Sequence, residues 1–325
     1  MTGEYNPYEP LPVKYYHESL DRIKEVINEK YSDLKITKIV SIGDGFNSFA
    51  YRINDDWIFS FPKRHDVAKA LKATCCLLPK IEMRINMPIV HFEYVGDDYS
   101  FVGYREIKGV QFTKELFLKC SHDFQRNFAE DIASFLKCFH TFPIFEAKRC
   151  GIDVVDFRKE FSNLQRRANT EFLPLLDKET QAIINHLFEK YLKDEDNFEY
   201  KPALLHGDLG HDNIIYDKQR NKIAGVIDFT SMGISDPDFD LRYLLTDYGE
   251  DFGKLLAQQY GHPDPTKLFK KNSFFNFFEN VFTTTGGLSI KDDKIIQTGL
   301  FYLSKQLNRQ IEIRHDKLPK WMKKR

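Results

Sequence analysis

The chain has 325 residues, of which 42% are hydrophobic, and its 47 Lys and Arg residues nearly balance 48 Asp and Glu residues, giving a net charge of −1. This length and apolar content allow two modest domains or one two-lobed unit with a sizeable core. Balanced charge argues against a dedicated nucleic-acid surface, and the lack of a run of about 18 apolar residues argues against a transmembrane helix. We therefore expect neither a nucleic-acid partner nor a membrane partner.

The N-terminus, MTGEYNPYEP, is polar and acidic and lacks the basic start and apolar run of a secretory signal. Five cysteines occur without any C-x-x-C pair: Cys75, Cys76, Cys120, Cys138 and Cys150. We interpret them as reduced core thiols, which are typical of a cytoplasmic protein.

The first third of the chain reads as a small antiparallel sheet with two helices. Residues 1–16 are expected to form a loose arm, and residues 17–30 show the apolar spacing of a helix. Tight-turn residues separate three β-rich runs, which predict a meander: Ile36–Ile42, Phe49–Ile53 and Trp57–Phe61. A helix is predicted over 66–79, where Pro79 ends it, and strands follow at Ile89–Tyr94 and Ser100–Glu106.

The remainder reads as mostly helical. Lys108-Gly109 interrupts the strand pattern, and we place the boundary between an N-terminal lobe (1–107) and a C-terminal lobe (108–325) there. Apolar residues at helical spacing predict helices over 124–139 and 178–193. Two short strands, Ala203–Leu205 and Ile223–Ile227, frame a polar segment between them. The run Phe274–Phe278 is interpreted as core, with a cleft wall as the alternative.

The polar segment carries the most informative motif. The strand Ala203–Leu205 leads to Asp208, and Asn213 follows five residues later at the start of the next strand. Asp228 ends a further β-branched strand. Carboxylate and amide oxygens suit Mg²⁺, which also accepts water and substrate phosphates, and a metal there would neutralise charge on a transferred phosphoryl group. Alternatively, any one of these acids could simply cap a turn.

The spacing H-x-D-x-x-x-x-N resembles the catalytic loop of kinases. HGD at 206–208, IDF at 227–229 and G-x-x-D-P-x-x-D at 233–240 resemble the aminoglycoside phosphotransferases more closely. Together with WIFSFPK at 57–63 and FVGYR at 101–105, they resemble the 2″-phosphotransferases of that family over roughly residues 20–260. The resemblance implies an α+β, bilobal protein-kinase-like fold, with a small antiparallel-sheet N-lobe and a larger, mainly helical C-lobe.

The resemblance also implies roles for residues of the motif. Asp208 would position and deprotonate the acceptor hydroxyl, and Asn213 and Asp228 would hold Mg²⁺. His206 belongs to the same catalytic loop, and the resemblance gives it a bracing role through hydrogen bonds.

A nucleotide site is expected in the N-terminal lobe. The turn between the first two strands includes Ser41, Gly43, Asp44, Gly45 and Ser48, whose free amides could cover a triphosphate. A G-x-G turn is also common in ordinary hairpins, so its place upstream of the catalytic loop carries this interpretation.

The resemblance places the interlobe hinge at Tyr104-Arg105-Glu106-Ile107. There the backbone of Glu106 and Ile107 would bind the purine edge of ATP or GTP, and Tyr104 would border the pocket.

One departure from the pattern concerns the phosphate anchor. Kinase-like enzymes usually pair a Lys on the third strand with a Glu on the following helix, but here Ser60 and Thr74 occupy the matching positions. Loss of both partners together is self-consistent, since either charge alone would be costly. It leaves Lys63, Lys69 or Lys72 as substitute cations, or a weakened nucleotide site.

An acidic run follows the predicted metal ligand. Asp247, Glu250 and Asp251 fall where the resembling family lines its acceptor cleft, and carboxylates would suit the ammonium groups of an aminosugar. Helix capping is the alternative for these residues. Asp236 and Asp240 are interpreted as structural, fixing the loop after Asp228.

The sequence thus predicts a monomeric, cytoplasmic, Mg²⁺-dependent phosphotransferase. It would move the γ-phosphoryl group of ATP or GTP to a hydroxyl of a small cationic antibiotic, an aminoglycoside. A kinase for a macrolide or another small molecule is one alternative. A kinase-like pseudoenzyme that binds nucleotide or a partner without turnover is the other, and the substitutions at Ser60 and Thr74 favour it.

Overall fold

The structure is a computed structural model that describes residues 19–45 and 47–317, apart from the side chains of Asp44 and His315. The predicted loose arm over 1–16 lies outside these residues. The helices are α1 (Leu20–Lys30), α2 (His65–Glu82), α3 (Lys114–Phe117), α4 (His122–His140), α5 (Ile144–Arg149), α6 (Phe157–Glu171), α7 (Lys178–Lys193), α8 (Arg242–Tyr248), α9 (Glu250–Tyr260), α10 (Pro265–Ile290) and α11 (Asp293–Gln306). The strands are β1 (Ile39–Asp44), β2 (Ser48–Ile53), β3 (Trp57–Pro62), β4 (Phe92–Val95), β5 (Val102–Arg105), β6 (Val110–Gln111), β7 (Ala203–Leu205), β8 (Ile214–Asp217), β9 (Lys222–Val226) and β10 (Gly233–Ser235).

The N-terminal strands form one antiparallel five-stranded sheet in the order β1-β2-β3-β5-β4. Because side chains alternate along a strand, Tyr51, Phe59 and Phe61 share one face. That face is buried against Ile23 and Ile27 of α1, whose first turn is capped by the Ser19 hydroxyl accepting from the Arg22 N–H. The predicted antiparallel sheet and the mainly helical remainder are both confirmed.

Two smaller sheets carry the polar segment. β8 pairs antiparallel with β9 and with β6, and β7 pairs with β10. A parallel bridge joins Ile89 to Val226, and the Val226 N–H donates to the Pro88 carbonyl oxygen at 2.9 Å. The β8–β9 hairpin is therefore attached to the segment that follows α2.

Helix α2 differs from the prediction at its end. It continues three residues past Pro79 to Glu82, so the expected stop at Pro79 is wrong. A proline this close to the end removes only one backbone hydrogen bond, whereas continuation buries Ile81 completely.

The cysteine interpretation is wrong for two of the five residues. Cys76 on α2 is disulfide-bonded to Cys150, the residue that ends α5, with Cα atoms 5.4 Å apart. Cys75, Cys120 and Cys138 are free thiols. The adjacent residues Cys75 and Cys76 point in different directions on a helix, which is why only one of them meets the partner.

The described chain divides into two compact units. The first comprises the residues up to Asp153 together with Leu204–Ile234, and the second comprises Val154–Ala203 and the residues from Ser235 onwards. The predicted lobe boundary at residue 107 stays a prediction. The second unit is helical, and Phe274, Phe275 and Phe277 of α10 are buried in its core. No helix in the described ranges is long and apolar enough to cross a membrane.

Candidate active site

The loop after β7 is held rigidly by a buried histidine. The His206 side chain has no exposed surface and packs against the rings of Phe139 and Phe229. Its Nδ1 accepts from the Asp208 N–H at 3.2 Å, so the opposite nitrogen, Nε2, is the one that donates to the Ile227 carbonyl at 3.2 Å. One imidazole therefore braces Asp208 and the residue before Asp228 together.

Gly207 is the residue that brings the backbone into this turn. It has φ of +83°, and a Cβ at this position would lie 2.0 Å from the Ser231 carbonyl oxygen. Any other residue would be strained and would also clash with backbone. Glycine is thus required for Asp208 to leave β7 at this angle.

The structure brings Asp208, Asn213 and Asp228 to the same end of the β8–β9 hairpin. The Asn213 Nδ2 donates to the Asp208 carboxylate at 3.1 Å and to its carbonyl oxygen at 2.8 Å. The Ile227 N–H donates to the Asn213 carbonyl at 3.0 Å, one residue before Asp228. The three residues, which were predicted from their spacing in the sequence, are therefore brought together in space by these hydrogen bonds.

Asp228 adopts an unusual backbone conformation, with φ of +59°. Its Oδ1 accepts from the Thr230 hydroxyl at 2.7 Å, which fixes the carboxylate on the turn. A non-glycine residue in the left-handed region is uncommon and tends to occur at functional sites. The residue is exposed, so its carboxylate can reach a ligand.

The donor set fits a magnesium ion that takes further ligands from elsewhere. Because Asn213 uses its Nδ2 to hold Asp208, its amide oxygen is left as the ligand atom, and Asp228 contributes a carboxylate. Within residues 19–45 and 47–317, no three His, Cys, Asp or Glu side chains gather into a protein-only metal cage. Mg²⁺ suits such an incomplete set, since it usually keeps waters and binds substrate phosphates.

The predicted strand register at Ser60 agrees with the structure. Ser60 pairs with Ala50 and Val102 on the sheet face opposite the aromatic core, and Tyr104 lies on that same face. Burial, together with the nearby charges of Asp228 and Glu106, raises the pKa of Tyr104. Tyr104 therefore lies close enough to Asp228 to be affected by its charge.

The predicted phosphate turn connects β1 and β2. Ser41 pairs with Tyr51 and Gly43 pairs with Ala50, with a bulge between them. The Gly45 N–H donates to the Ser48 carbonyl at 3.1 Å and closes the turn. The Gly45 amide is therefore already hydrogen-bonded within the turn, which leaves fewer backbone amides that could bind a phosphate. Phe46 and the Asp44 side chain lie outside the described residues.

One backbone group of the predicted hinge is also hydrogen-bonded within the protein. The Glu106 N–H donates to the Asp56 carbonyl at 2.9 Å, so this residue can offer a purine its carbonyl oxygen but not its amide. Burial opposes ionisation of the Glu106 carboxyl, but hydrogen bonds from Arg52 and Lys108 hold its pKa below the usual value. Ile107 lies next in the chain and packs on Gly225.

Thr74 has a role that the sequence did not indicate. Its side chain is 1% exposed, and its hydroxyl lies 2.8 Å from the Ala70 carbonyl and 3.2 Å from the Phe229 carbonyl. It therefore ties α2 to the residue that follows Asp228. A neutral hydrogen bond occupies the place where kinases use the glutamate of an ion pair.

The structure also shows what the substitute cations contact. Lys69 pairs with Asp153 at 2.7 Å, and Lys63 bonds the Gly45 carbonyl and lies 4.3 Å from the centre of the Phe49 ring. Arg64, immediately before α2, donates to the Asn47 side chain at 3.0 Å and forms an ion pair with Asp66 at 3.1 Å.

The acidic residues predicted to bind the acceptor lie in the second unit, where α8 meets α9. Glu250 forms a 2.7 Å ion pair with Lys254, one turn later, and hydrogen bonding from this lysine lowers the pKa of Glu250. Asp251 is exposed in the first turn of α9, and Asp247 is half-buried on α8. Their role toward an acceptor stays a prediction.

Two of the acids that follow Asp228 instead form a buried network in the second unit. The Lys271 ammonium lies 2.5 Å from the Asp236 carboxylate and 2.6 Å from that of Asp238, and His262 bonds Asp238 at 2.8 Å. Burial raises the pKa of Asp236 to about 6, and Lys271 opposes that rise. Asp240 is fully buried as well. These contacts agree with the structural interpretation of Asp236 and Asp240.

Solved structures of known proteins resemble this chain over most of its length, whereas a curated relative matches only a short segment. The solved GDP and kanamycin complex of APH(2")-IIIa has a TM-score of 0.83 and 29% identity, covering 88% of this chain and 98% of that chain. The streptomycin–ATP–APH(2")-IIa ternary complex has a TM-score of 0.72 and 25% identity, covering 91% and 98%. Viomycin phosphotransferase of Streptomyces vinaceus is 38% identical over 58 residues, which are 17% of this chain and only 20% of that protein.

These likenesses confirm the predicted resemblance to aminoglycoside 2″-phosphotransferases and the kinase-like α+β fold. The family model described as the phosphotransferase enzyme family, APH, matches residues 38–267. The chain therefore belongs to the APH family of phosphotransferase enzymes.

Proposed function

We propose that the protein is a nucleoside-triphosphate-dependent O-phosphotransferase that moves a γ-phosphoryl group to a hydroxyl of an aminoglycoside. The observation that carries this proposal is the cluster of Asp208, Asn213 and Asp228, held by His206 at the end of one hairpin. The solved relatives hold GDP with kanamycin and ATP with streptomycin, which supports a nucleotide co-substrate and a small cationic acceptor.

Each residue of the cluster has a distinct task in this proposal. Asp208 accepts the proton of the acceptor hydroxyl as the new phosphate ester bond forms. His206 and Asn213 keep that carboxylate in place, and Asp228 presents its carboxylate from a fixed turn. Mg²⁺, when bound by Asn213 and Asp228, would supply charge neutralisation for the phosphates.

The central experiment compares two aspartates of the same loop. We expect Asp208→Ala to lower kcat for kanamycin phosphorylation at least a hundredfold, since a general base contributes about 10²–10⁴-fold. Asp212→Ala is the matched control, because this exposed carboxylate lies four residues away and should leave kcat within about twofold. Phosphate transfer is followed by mass spectrometry of the drug. Wild-type turnover by Asp208→Ala would remove Asp208 from the proposal.

The acceptor site is tested separately. We propose that Asp247, Glu250 and Asp251 attract the ammonium groups of the drug. Their triple replacement by the corresponding amides should raise KM for kanamycin about tenfold and leave KM for the nucleotide within twofold. A macrolide, which carries a single basic amine, serves as the comparison of lower positive charge in the same assay. An unchanged KM for kanamycin would leave these residues with a capping role only.

A second candidate function is nucleotide binding without turnover. Ser60 lies on the same sheet face as Tyr104, at the position where kinases carry a phosphate-binding lysine, and it carries no charge. In this case, the protein would bind ATP or GTP by calorimetry and yet leave every aminoglycoside and macrolide of a panel unmodified. Phosphorylation of any one drug at a rate dependent on Asp208 would exclude this candidate.

A further inference from the structure

A large cavity lies in the first unit, apart from the proposed catalytic cluster. Its volume is about 1000 Å³, and its walls are the segment 84–88 after α2, the hinge exit 107–110, one side of α4 and the β8–β9 hairpin. Asp208, Asn213 and Asp228 do not line it. A volume of this order is at the upper end of what small-molecule sites use.

The cavity combines an apolar wall with a cationic rim. Apolar side chains come from all four walls, and they include Ile85, Ile107, Phe135 and Ile223. Five of the lining residues are Lys or Arg, whereas two, Asp131 and Asp217, are acidic. The excess of positive charge favours a ligand with an acidic group.

Two of the rim lysines are available for that group. Lys108 is bonded to Glu106, and Arg220 lies 3.7 Å from Asp217. In contrast, Lys218 and Lys222, which flank the turn of the β8–β9 hairpin, have no carboxylate within ion-pair distance in the described part of the chain.

The cavity walls are continuous with the proposed active site. β9 passes from the wall at Lys222 to Val226, two residues before Asp228. A Cβ on Gly225 would lie 2.6 Å from the Pro88 carbonyl oxygen and 2.8 Å from Ile107 Cδ1, so the hinge, the segment after α2 and β9 are in direct contact. A ligand in the cavity would therefore touch the hinge and the strand that carries Asp228.

We propose that this cavity is a second ligand site, which takes a small amphiphile with an apolar ring system and one acidic group. The rings lie against the half-buried side chains of Ile85 and Ile223, and the acidic group meets Lys218 and Lys222. The site lies apart from Asp208, Asn213 and Asp228, adjoins the predicted hinge at Ile107, and does not depend on phosphotransfer. Its occupancy shifts nucleotide affinity, because both sites share β9 and the hinge.

The full-length protein is titrated with 8-anilinonaphthalene-1-sulfonate, an aromatic sulfonate whose fluorescence reports binding. We expect one site, retained with excess ADP present. Lys218→Glu with Lys222→Glu should raise its Kd at least tenfold. Lys178→Glu with Lys190→Glu on α7 is the control with the same charge change and should leave the Kd within twofold. Equal affinity in both double variants, or complete displacement by ADP, would overturn the proposal.

Cys138 gives a second measurement that does not depend on these lysines. Its free thiol is half-buried in the cavity wall and donates to the Arg84 carbonyl at 3.4 Å. The sulfonate should slow maleimide labelling of Cys138 at least fivefold and leave labelling of Cys120 unchanged, as measured by peptide mapping. Equal protection of both thiols, or protection of neither, would place the probe elsewhere and overturn the proposal.

Discussion

Replacing Thr74 by valine tests how α2 is joined to the proposed metal loop. The substitution keeps the shape of the side chain and removes its hydroxyl. That hydroxyl has one hydrogen, which it shares between the Ala70 carbonyl, one helical turn back, and the Phe229 carbonyl, 155 residues away. Only the second contact is long-range, and it follows directly after Asp228.

The expected loss of stability depends on which hydrogen-bond partners the Ala70 and Phe229 carbonyls retain after the substitution. Ala70 remains in the helix and retains its backbone partner, whereas no other partner of the Phe229 carbonyl occurs among residues 19–45 and 47–317. Phe229 is 1% exposed. A buried carbonyl left unpaired costs about 1–3 kcal/mol, so Thr74→Val should lower the free energy of unfolding by about 1–2 kcal/mol.

Thr285→Val is the matched control. Thr285 is fully buried in α10, and its hydroxyl donates to the Val281 carbonyl, one turn back, as its single partner among the described residues. Its replacement should cost no more than about 0.5 kcal/mol, because a carbonyl within a helix keeps its N–H partner. Urea denaturation of the two variants and the wild type measures the difference.

A functional measurement accompanies the stability assay. Because Phe229 follows Asp228, Thr74→Val should weaken Mg²⁺-dependent nucleotide binding about fivefold, and Thr74→Ser, which keeps the hydroxyl, should restore it. Calorimetry with and without Mg²⁺ provides the comparison. Equal destabilisation by Thr74→Val and Thr285→Val, together with unchanged nucleotide affinity, would refute the reasoning.

Three further predictions concern other features of the structure. Lys271→Met should lower the free energy of unfolding by about 3–5 kcal/mol at pH 7, because it removes the ammonium group that lies between two buried carboxylates. The loss should shrink at pH 5, since the folded state then takes up a proton on Asp236, whose pKa burial raises to about 6. A pH-independent loss in urea titrations would contradict this. Cys76→Ser should lower the free energy of unfolding by about 4 kcal/mol, as expected for opening a disulfide-closed loop of 74 residues. Reductant should destabilise Cys75→Ser, which keeps the disulfide, but should not destabilise Cys76→Ser. A Cys76→Ser protein that reductant still destabilises would argue against the disulfide. Ser60→Lys should raise ATP affinity about tenfold, because the residue occupies the strand position from which kinases present a phosphate-binding lysine, while the uncharged Ser60→Met should not raise it. Calorimetry in which the two variants bind ATP alike would show that another cation already neutralises the phosphates.

Several elements could be predicted because their causes are local. The β-rich runs and tight turns near the N-terminus, the helix over 178–193 and the strand at 203–205 follow from side-chain periodicity and turn residues within a few positions. The cluster of Asp208, Asn213 and Asp228 was also accessible. Asn213 and Asp228 flank the paired strands β8 and β9, and strand pairing brings such ends together. Asp208 joins them through the hydrogen bond from Asn213.

Other features depend on residues far apart in the sequence, and only the tertiary structure decides them. Packing of α2 determines that Thr74 meets Phe229 and that Cys76, rather than its neighbour, meets Cys150. The same packing stabilises the extension of α2 beyond Pro79, although proline locally disfavours a helix. Lys271 looks like an ordinary surface lysine until the fold buries it between two carboxylates. A sequence pattern specifies which way a side chain points within its own element, but its partner depends on how the elements pack.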